Sequence, residues 1–171
     1  FTELNAKGSL RDDDRFLKAC QKNMESWNKW MSEKRLLATN PASPEAVFAT
    51  IDQTAPKDAI YSIDVGTSTS WGARFLNVQP TQKYTISAWL GTMGCGLPGA
   101  IAGAEAFPKR QNISVAGDGA FAMVMQDFVT AVKYKLPIIM VVMNNQKLAF
   151  IEYEQQSAGQ LHYEIDLADM D

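Results

Sequence analysis

Two short groups of residues supply donors for a cation and an anion at the same time. Gly117-Asp118-Gly119 is followed, after 24 residues, by Asn144-Asn145. Asp118 offers a carboxylate oxygen and Asn145 an amide oxygen, both hard ligands suited to Mg²⁺ or Ca²⁺. Gly119 lets the backbone approach a ligand closely, and a helix opening at that point aims free N–H groups at negative charge. A diphosphate bridged to the protein by a metal ion satisfies both halves of this donor set.

The surrounding pattern explains how the two groups meet. Ile113-Ser114-Val115-Ala116 is a short β-type run, residues 121–135 read as helix, and Pro137 to Met143 is a second, wholly apolar run. Strand, helix and strand in that order predict a parallel pair. Both strand ends then lie on one edge of the sheet, where ligands of such folds sit. Asp118 and Asn145 are predicted to face one crevice although 26 residues separate them. The competing reading is a glycine turn with polar caps and no ligand. The asparagine pair at the end of the second strand argues against it, because motif and context agree.

A second glycine cluster needs weighing. Gly94, Gly96 and Gly99 form a G-x-G-x-x-G, and Asp118 follows nineteen residues later. That is the pattern of a nicotinamide or flavin dinucleotide site in a dehydrogenase. The strand expected at Tyr84 to Ser87 ends well before Gly94, whereas the fingerprint places its first glycine at the strand end. The dinucleotide reading also leaves Asn144-Asn145 unused. The small residues suit a tightly packed helix over Gly96 to Phe107, with Pro98 in its first turn.

The rest of the chain has an α/β rhythm. Asp12 to Asp14 precede an amphipathic helix expected over Arg15 to Leu37, with Phe16, Cys20, Met24 and Trp27 on one face. Residues 1–10 read as coil. Ser43 is a natural N-cap, with Pro44 and Glu45 behind it, for a helix to about Gln53. Ala59 to Val65 reads as a strand, Thr67 to Phe75 as a short helix, and Leu148 to Gln156 as another. Phe150, Ile151 and Glu154 of that last helix are placed over the crevice. His162, the only histidine, is expected to be solvated.

With 171 residues the chain holds one domain or slightly more. A net charge of −3 with scattered Lys and Arg suggests no nucleic-acid partner. No apolar run is long enough to span a membrane. Cys20 and Cys95 are too few for a disulfide framework, which suits a reduced, cytoplasmic setting. The first residue, Phe1, and the acidic last segment suggest a fragment truncated at the C-terminus.

The two-part signature Gly117-Asp118-Gly119 and Asn144-Asn145 resembles the thiamine diphosphate binding motif. From about Ala42 onward the chain resembles the diphosphate-binding domain of flavin-dependent pyruvate oxidases, on the stretches GTMGCGLPGAIAGA, GDGAFAMVMQDFVTAVKYKLPI and FIEYEQ. Acetolactate synthases and non-oxidative decarboxylases share the signature. The resemblance implies a three-layer α/β fold with a mainly parallel sheet over residues 41–171. It makes residues 1–40 the helix and linker leaving a preceding flavin domain.

It also implies roles, residue by residue. Asp118, Asn145 and the backbone carbonyl of Lys147 would hold Mg²⁺, and Gly117, Gly119 and Ala120 would cradle the diphosphate. Met93 would support the bend of the cofactor. The Gly91 carbonyl would accept a hydrogen bond from its 4′-amino group. Val65, Phe150, Ile151 and Glu154 would line the substrate side, with Phe150 also near the cofactor and Glu154 placed among the catalytic groups. The reaction implied is oxidative decarboxylation of pyruvate with phosphate and O₂ to acetyl phosphate, CO₂ and H₂O₂, with FAD held mainly by another domain. The implied assembly is a homotetramer, a dimer of dimers. Two departures stand out. Leu148-Ala149 replaces the Tyr-Gly common in relatives. The glutamate that protonates the cofactor's pyrimidine comes from another domain across a subunit interface, so this stretch alone is expected to be inactive. A non-catalytic assembly module is the remaining alternative.

Overall fold

The computed structural model describes residues 3, 13–35 and 39–168. Two compact units are present, residues 1–37 and 38–171. In the first, α1 spans Arg15–Arg35 and ends in Lys34 and Arg35, cations that suit the negative end of the helix dipole. The expected continuation to Leu37 and the acid Asp12 lie outside the described residues. Of the expected coil at 1–10 only Glu3 is described, and it is helical. No helix among the described residues is long and apolar enough to cross a membrane.

The second unit holds α2 (Pro44–Thr54), β1 (Ile60–Ile63), α3 (Thr67–Phe75), β2 (Lys83–Thr85), α4 (Gly96–Ala106) and β3 (Asn112–Gly117). α5 (Asp118–Val124), a 3₁₀ turn (Met125–Asp127), α6 (Phe128–Lys133), β4 (Ile138–Met143) and α7 (Ala149–Ser157) follow. α2 starts as its sequence dictates. Ser43 Oγ accepts the N–H of Ala46 at 3.2 Å, and Pro44, whose missing N–H costs nothing there, opens the first turn.

All three strand pairings are parallel, in the order β2-β1-β3-β4. From β1 the chain moves outward to β2, then crosses back over β1 to reach β3 and β4. Right-handed crossovers therefore place α3 on one face and α4, α5 and α6 on the other. Packing agrees: α2 lies on α3, α4 contacts α5 and α6, and both α3 and α4 touch β1 and β3. The three-layer α/β architecture follows, with its topological switch point between β1 and β3.

β1 and β3 are buried along their whole length apart from Gly117. β4 ends the described sheet, and its apolar run is only part-buried, with Ile139 42% and Val142 38% exposed. The helix expected over 121–135 is not continuous. It begins at Asp118, directly on the end of β3. It breaks at Val124 (φ −135, ψ 12), whose side chain packs on Gly94, and Lys135 at φ 53 ends α6.

The glycines of α4 have a packing reason. A Cβ built at Gly96 would lie 2.9 Å from Asp64 Oδ2 and from Ser114 Oγ. One at Gly99 would lie 2.6 Å from Ser62 Oγ, and one at Gly103 only 2.2 Å from Asn112 Oδ1. Three glycines thus seat α4 directly on the small polar side chains of β1 and β3. Ser62 Oγ, Ser114 Oγ and Asn112 Oδ1 have no conventional hydrogen-bond partner among the described residues. They face the glycines of α4.

Gly99→Ala should therefore overpack this interface and cost about 1–3 kcal/mol of unfolding free energy in a urea titration. Ser62→Ala, which removes the offending oxygen, should recover part of that loss. Additivity of the two changes to within about 0.5 kcal/mol would show that the contact does not matter.

Candidate functional site

The crevice opens at the C-terminal ends of β1 and β3, where adjacent strands send their connections in opposite directions. Val65 to Ser68 form one wall, Gly117 to Ala120 the second, Asn145 and Lys147 to Ile151 the third, and Met93 and Met143 also line it. About 430 Å³ of space, open to solvent, lies between them. Among the residues singled out from sequence, Val65, Met93, Gly117, Asp118, Gly119, Ala120, Asn145, Lys147, Phe150 and Ile151 all line this one crevice.

Two others do not. Glu154 is exposed and outside the lining: it shares a helix face with Phe150 and Ile151 but lies one turn further along α7, beyond the last residue of that helix to line the crevice. Gly91 is exposed outside the lining, at φ 61, with its N–H donated to the Ser87 carbonyl at 2.9 Å.

Asp118 is 3% exposed and joins the two halves of the signature. Its Oδ1 accepts the N–H of Gly119 at 2.8 Å, and its Oδ2 accepts the N–H groups of Asn145 at 3.2 Å and Gln146 at 2.6 Å. Gln146 reaches that position through a left-handed backbone, φ 57. Asn145 Oδ1 accepts the N–H of Lys147 at 3.2 Å, which turns the amide oxygen to the same side of the loop.

The Lys147 carbonyl is oriented by the tail that follows α7. Leu148 donates to Ile165 O and Leu167 donates to Gln146 O, both at 2.8 Å, making an antiparallel bridge between Lys147 and Asp166. These bonds flank Lys147, so its own N–H and C=O turn away from the tail. A carboxylate, an amide oxygen and a backbone carbonyl thus converge at the loop, a set of hard oxygens that fits Mg²⁺.

The anion side fits in part. Gly119 admits close approach: a Cβ there would meet Leu148 Cδ2 at 2.9 Å and Leu167 Cδ1 at 3.1 Å, with Met93 Cε at 3.8 Å. At Gly117 a Cβ would meet nothing within 4 Å, leaving room beside the acid. The Gly119 N–H is already donated to Asp118, so the Ala120 N–H, in a first turn that lacks intrahelical partners, is the better placed donor. Leu148, in place of a tyrosine, packs over Gly119.

Three contributors escaped the sequence reading. Thr67 and Ser68 line the crevice with hydroxyl-bearing side chains. Asp64 is fully buried behind it, accepting the N–H groups of Gly94 and Gly96. The signal was an acid two residues before Gly66 at a strand end, a near repeat of Asp118 before Gly119. His162 is exposed, as expected, but it has partners that the sequence did not reveal. The reversal at Gly159 (φ 68) brings it back along α7, with Nδ1 3.3 Å from Glu152 Oε1 and Nε2 2.9 Å from Gln156 Nε2. Glu152 also pairs with Lys147 Nζ at 3.3 Å, tying α7 to the metal-type loop.

Comparison with known proteins gives a consistent picture. The family model described as thiamine pyrophosphate enzyme, C-terminal TPP binding domain, matches residues 64–169. YdaP of Bacillus subtilis (strain 168), provisionally described as a thiamine pyrophosphate-containing protein, is 48% identical over 169 residues, covering 99% of this chain and 29% of YdaP. A pyruvate oxidase of Lactiplantibacillus plantarum is 36% identical over 155 residues, covering 91% of this chain and 26% of that enzyme. The acetolactate synthase large subunit of Porphyra purpurea is 38% identical over 136 residues, covering 78% of this chain and 23% of the relative. Among solved structures, a thiamine diphosphate-dependent 4-hydroxybenzoylformate decarboxylase of Rhodococcus jostii RHA1 superposes with a TM-score of 0.68 at 26% identity, over 76% of this chain and 25% of that one. The chain thus spans less than a third of the length of these relatives.

Cys95, in the glycine loop, gives the site a chemical handle. Burial pushes its thiol above the usual range, and the nearby Asp64 carboxylate adds to the effect against opposing backbone hydrogen bonds. The folded state therefore holds the proton to higher pH than the unfolded chain, so this contribution to stability is present below the ordinary thiol pKa and is lost as pH rises past it. Iodoacetamide at pH 8 should label the exposed Cys20 well before Cys95, as peptide mass spectrometry would show. Equal rates would refute the part-buried thiol with its raised pKa.

Proposed function

This chain belongs to the thiamine pyrophosphate enzymes and carries their C-terminal TPP binding domain, and from that premise we propose that it is the diphosphate-gripping part of a pyruvate oxidase. The proposed reaction is the oxidative decarboxylation of pyruvate with phosphate and O₂, giving acetyl phosphate, CO₂ and H₂O₂, with FAD as the electron carrier. The observation that carries the reading is the convergence of Asp118, Asn145, the Lys147 carbonyl and Met93 on one crevice at the switch point. The 36% identity to a pyruvate oxidase supports the choice of reaction.

Asp118, Asn145 and the Lys147 carbonyl would hold Mg²⁺, and through it the diphosphate. When bound, thiamine diphosphate supplies a thiazolium carbon nucleophile for 2-oxo acids. This chain's residues bind and shape. Met93 fills the crevice between the walls and restricts how a ligand bends there. Val65, Phe150 and Ile151 present an apolar surface, which disfavours a substrate carboxylate relative to neutral CO₂. FAD and the glutamate that activates the pyrimidine would come from other domains and from a second subunit of a homo-oligomer.

Acetolactate synthesis is the second reading, favoured by the 38% identity to acetolactate synthase large subunits. The full-length protein supplied with pyruvate, phosphate and O₂ should form acetyl phosphate and H₂O₂. Acetolactate without peroxide would overturn the oxidase reading in favour of the synthase.

Calorimetry on the full-length protein should show thiamine diphosphate binding that requires Mg²⁺. Asp118→Ala should weaken that binding at least about tenfold to a hundredfold, since loss of an outer-shell partner of a metal ligand alone costs that much. Binding that ignores Mg²⁺, or unchanged affinity in Asp118→Ala, would sink the ligand assignment.

A further inference from the structure

Asp64 is fully buried at the end of β1 and does not line the crevice, yet it holds the wall that begins at Val65 and the loop that carries Met93. Its Oδ1 accepts the N–H groups of Val65 at 2.8 Å and Gly94 at 2.9 Å, and its Oδ2 accepts that of Gly96 at 2.8 Å. Its own N–H donates to Val115 O on β3 at 2.8 Å. Its carbonyl accepts the hydroxyls of Ser68 and Thr69, both at 3.0 Å, which anchors the start of α3.

The loop held by this carboxylate has little stiffness of its own. Met93 sits between Gly91 at φ 61 and Gly94 at φ 85, and glycine at positive φ has many alternatives open to it. Thr92 is exposed, and its N–H reaches only Ser87 Oγ at 3.2 Å. The strong restraint on Met93 from the side that follows it is the grip of Asp64 on Gly94 and Gly96. Val124, packed on Gly94 from the other side, closes the space into which the loop could move.

We infer that Asp64 is a positioning residue: without touching substrate or cofactor, it sets where Met93 stands in the crevice and so the shape on which a bound thiamine diphosphate must bend. This rests on the reading of the crevice as a thiamine diphosphate site. It separates two tasks between neighbouring strand ends. Asp118 governs whether the cofactor is held, and Asp64 governs the geometry in which it is held.

Asp64→Asn tests this with nearly unchanged shape. The amide keeps one acceptor oxygen and presents an NH₂ group on the other side, so Gly94 and Gly96 cannot both be served. Hydrogen exchange on the ligand-free, full-length protein should show faster uptake in residues 91–97, with 117–120 and 144–147 unchanged. Thiamine diphosphate affinity with Mg²⁺ should stay close to wild type. Turnover of pyruvate per bound cofactor should fall on the order of a hundredfold, the scale of a misplacement near 1 Å, with KM little changed. Asp64→Ala, which strips the three backbone contacts and that of Cys95 Sγ, should give the same pattern with a larger loss of thermal stability. Unchanged exchange at 91–97, or unchanged turnover per bound cofactor, would overturn the inference. Loss of cofactor affinity as large as in Asp118→Ala would do so too. Should the wild-type protein fail to bind thiamine diphosphate, the site reading fails by itself, and the exchange measurement still decides whether Asp64 holds the loop.

Discussion

Backbone N–H groups closing on buried carboxylates hold the ligand edge of this domain together. Asp64 and Asp118 stand at the ends of the neighbouring parallel strands β1 and β3, fully or almost fully buried. A carboxylate out of water is costly unless donors surround it. Each of these two recruits three main-chain N–H groups, its own neighbour's and two from a loop far along the chain. The electrostatic demand of the buried acid thus becomes a constraint on a distant loop. Asp64 draws in residues 94–96, and Asp118 draws in residues 145–146. The crevice is the space left between two loops fixed in this way.

The sheet makes that arrangement possible. Strand order β2-β1-β3-β4 sends the connections from β1 and β3 apart, which opens a gap at their C-terminal ends and nowhere else along the edge. α4 must then lie low across β1 and β3 to bring the loop before it over the gap. Gly96, Gly99 and Gly103 allow this by meeting serine and asparagine side chains instead of apolar bulk. The G-x-G-x-x-G pattern in this chain is therefore a helix-seating device. Its first glycine lies under the Asp64 carboxylate and Val124, and no strand ends at it.

Much of this was readable from residues alone. The Ser43-Pro44-Glu45 start of α2, the order of strands and helices, and the meeting of Asp118 with Asn145 all follow from local chemistry and period. Ten of the residues singled out by motif and resemblance line one crevice. The misses have physical reasons. Helix periodicity across 121–135 could not reveal the break at Val124, because that break answers to packing against Gly94. Glu154 has a helix spacing that puts it on the face of Phe150 and Ile151, but the crevice lining ends at Ile151 and Glu154, a turn further along α7, is exposed. His162 looked unpartnered because its partners lie on α7, six and ten residues back, and only the Gly159 reversal brings them near.

By itself, then, the sequence determined the class of fold and the chemistry of the metal-type loop, since glycine, carboxylate and amide at fixed strand ends leave few alternatives. Tertiary structure decided which residues govern the shape of the crevice. Asp64 looks like any polar residue closing a strand until the fold carries Gly94 and Gly96 across to it, 30 and 32 residues later. The reason is that a buried charge is satisfied by whatever donors the topology delivers. Those donors are main-chain groups, which leave no trace in side-chain identity.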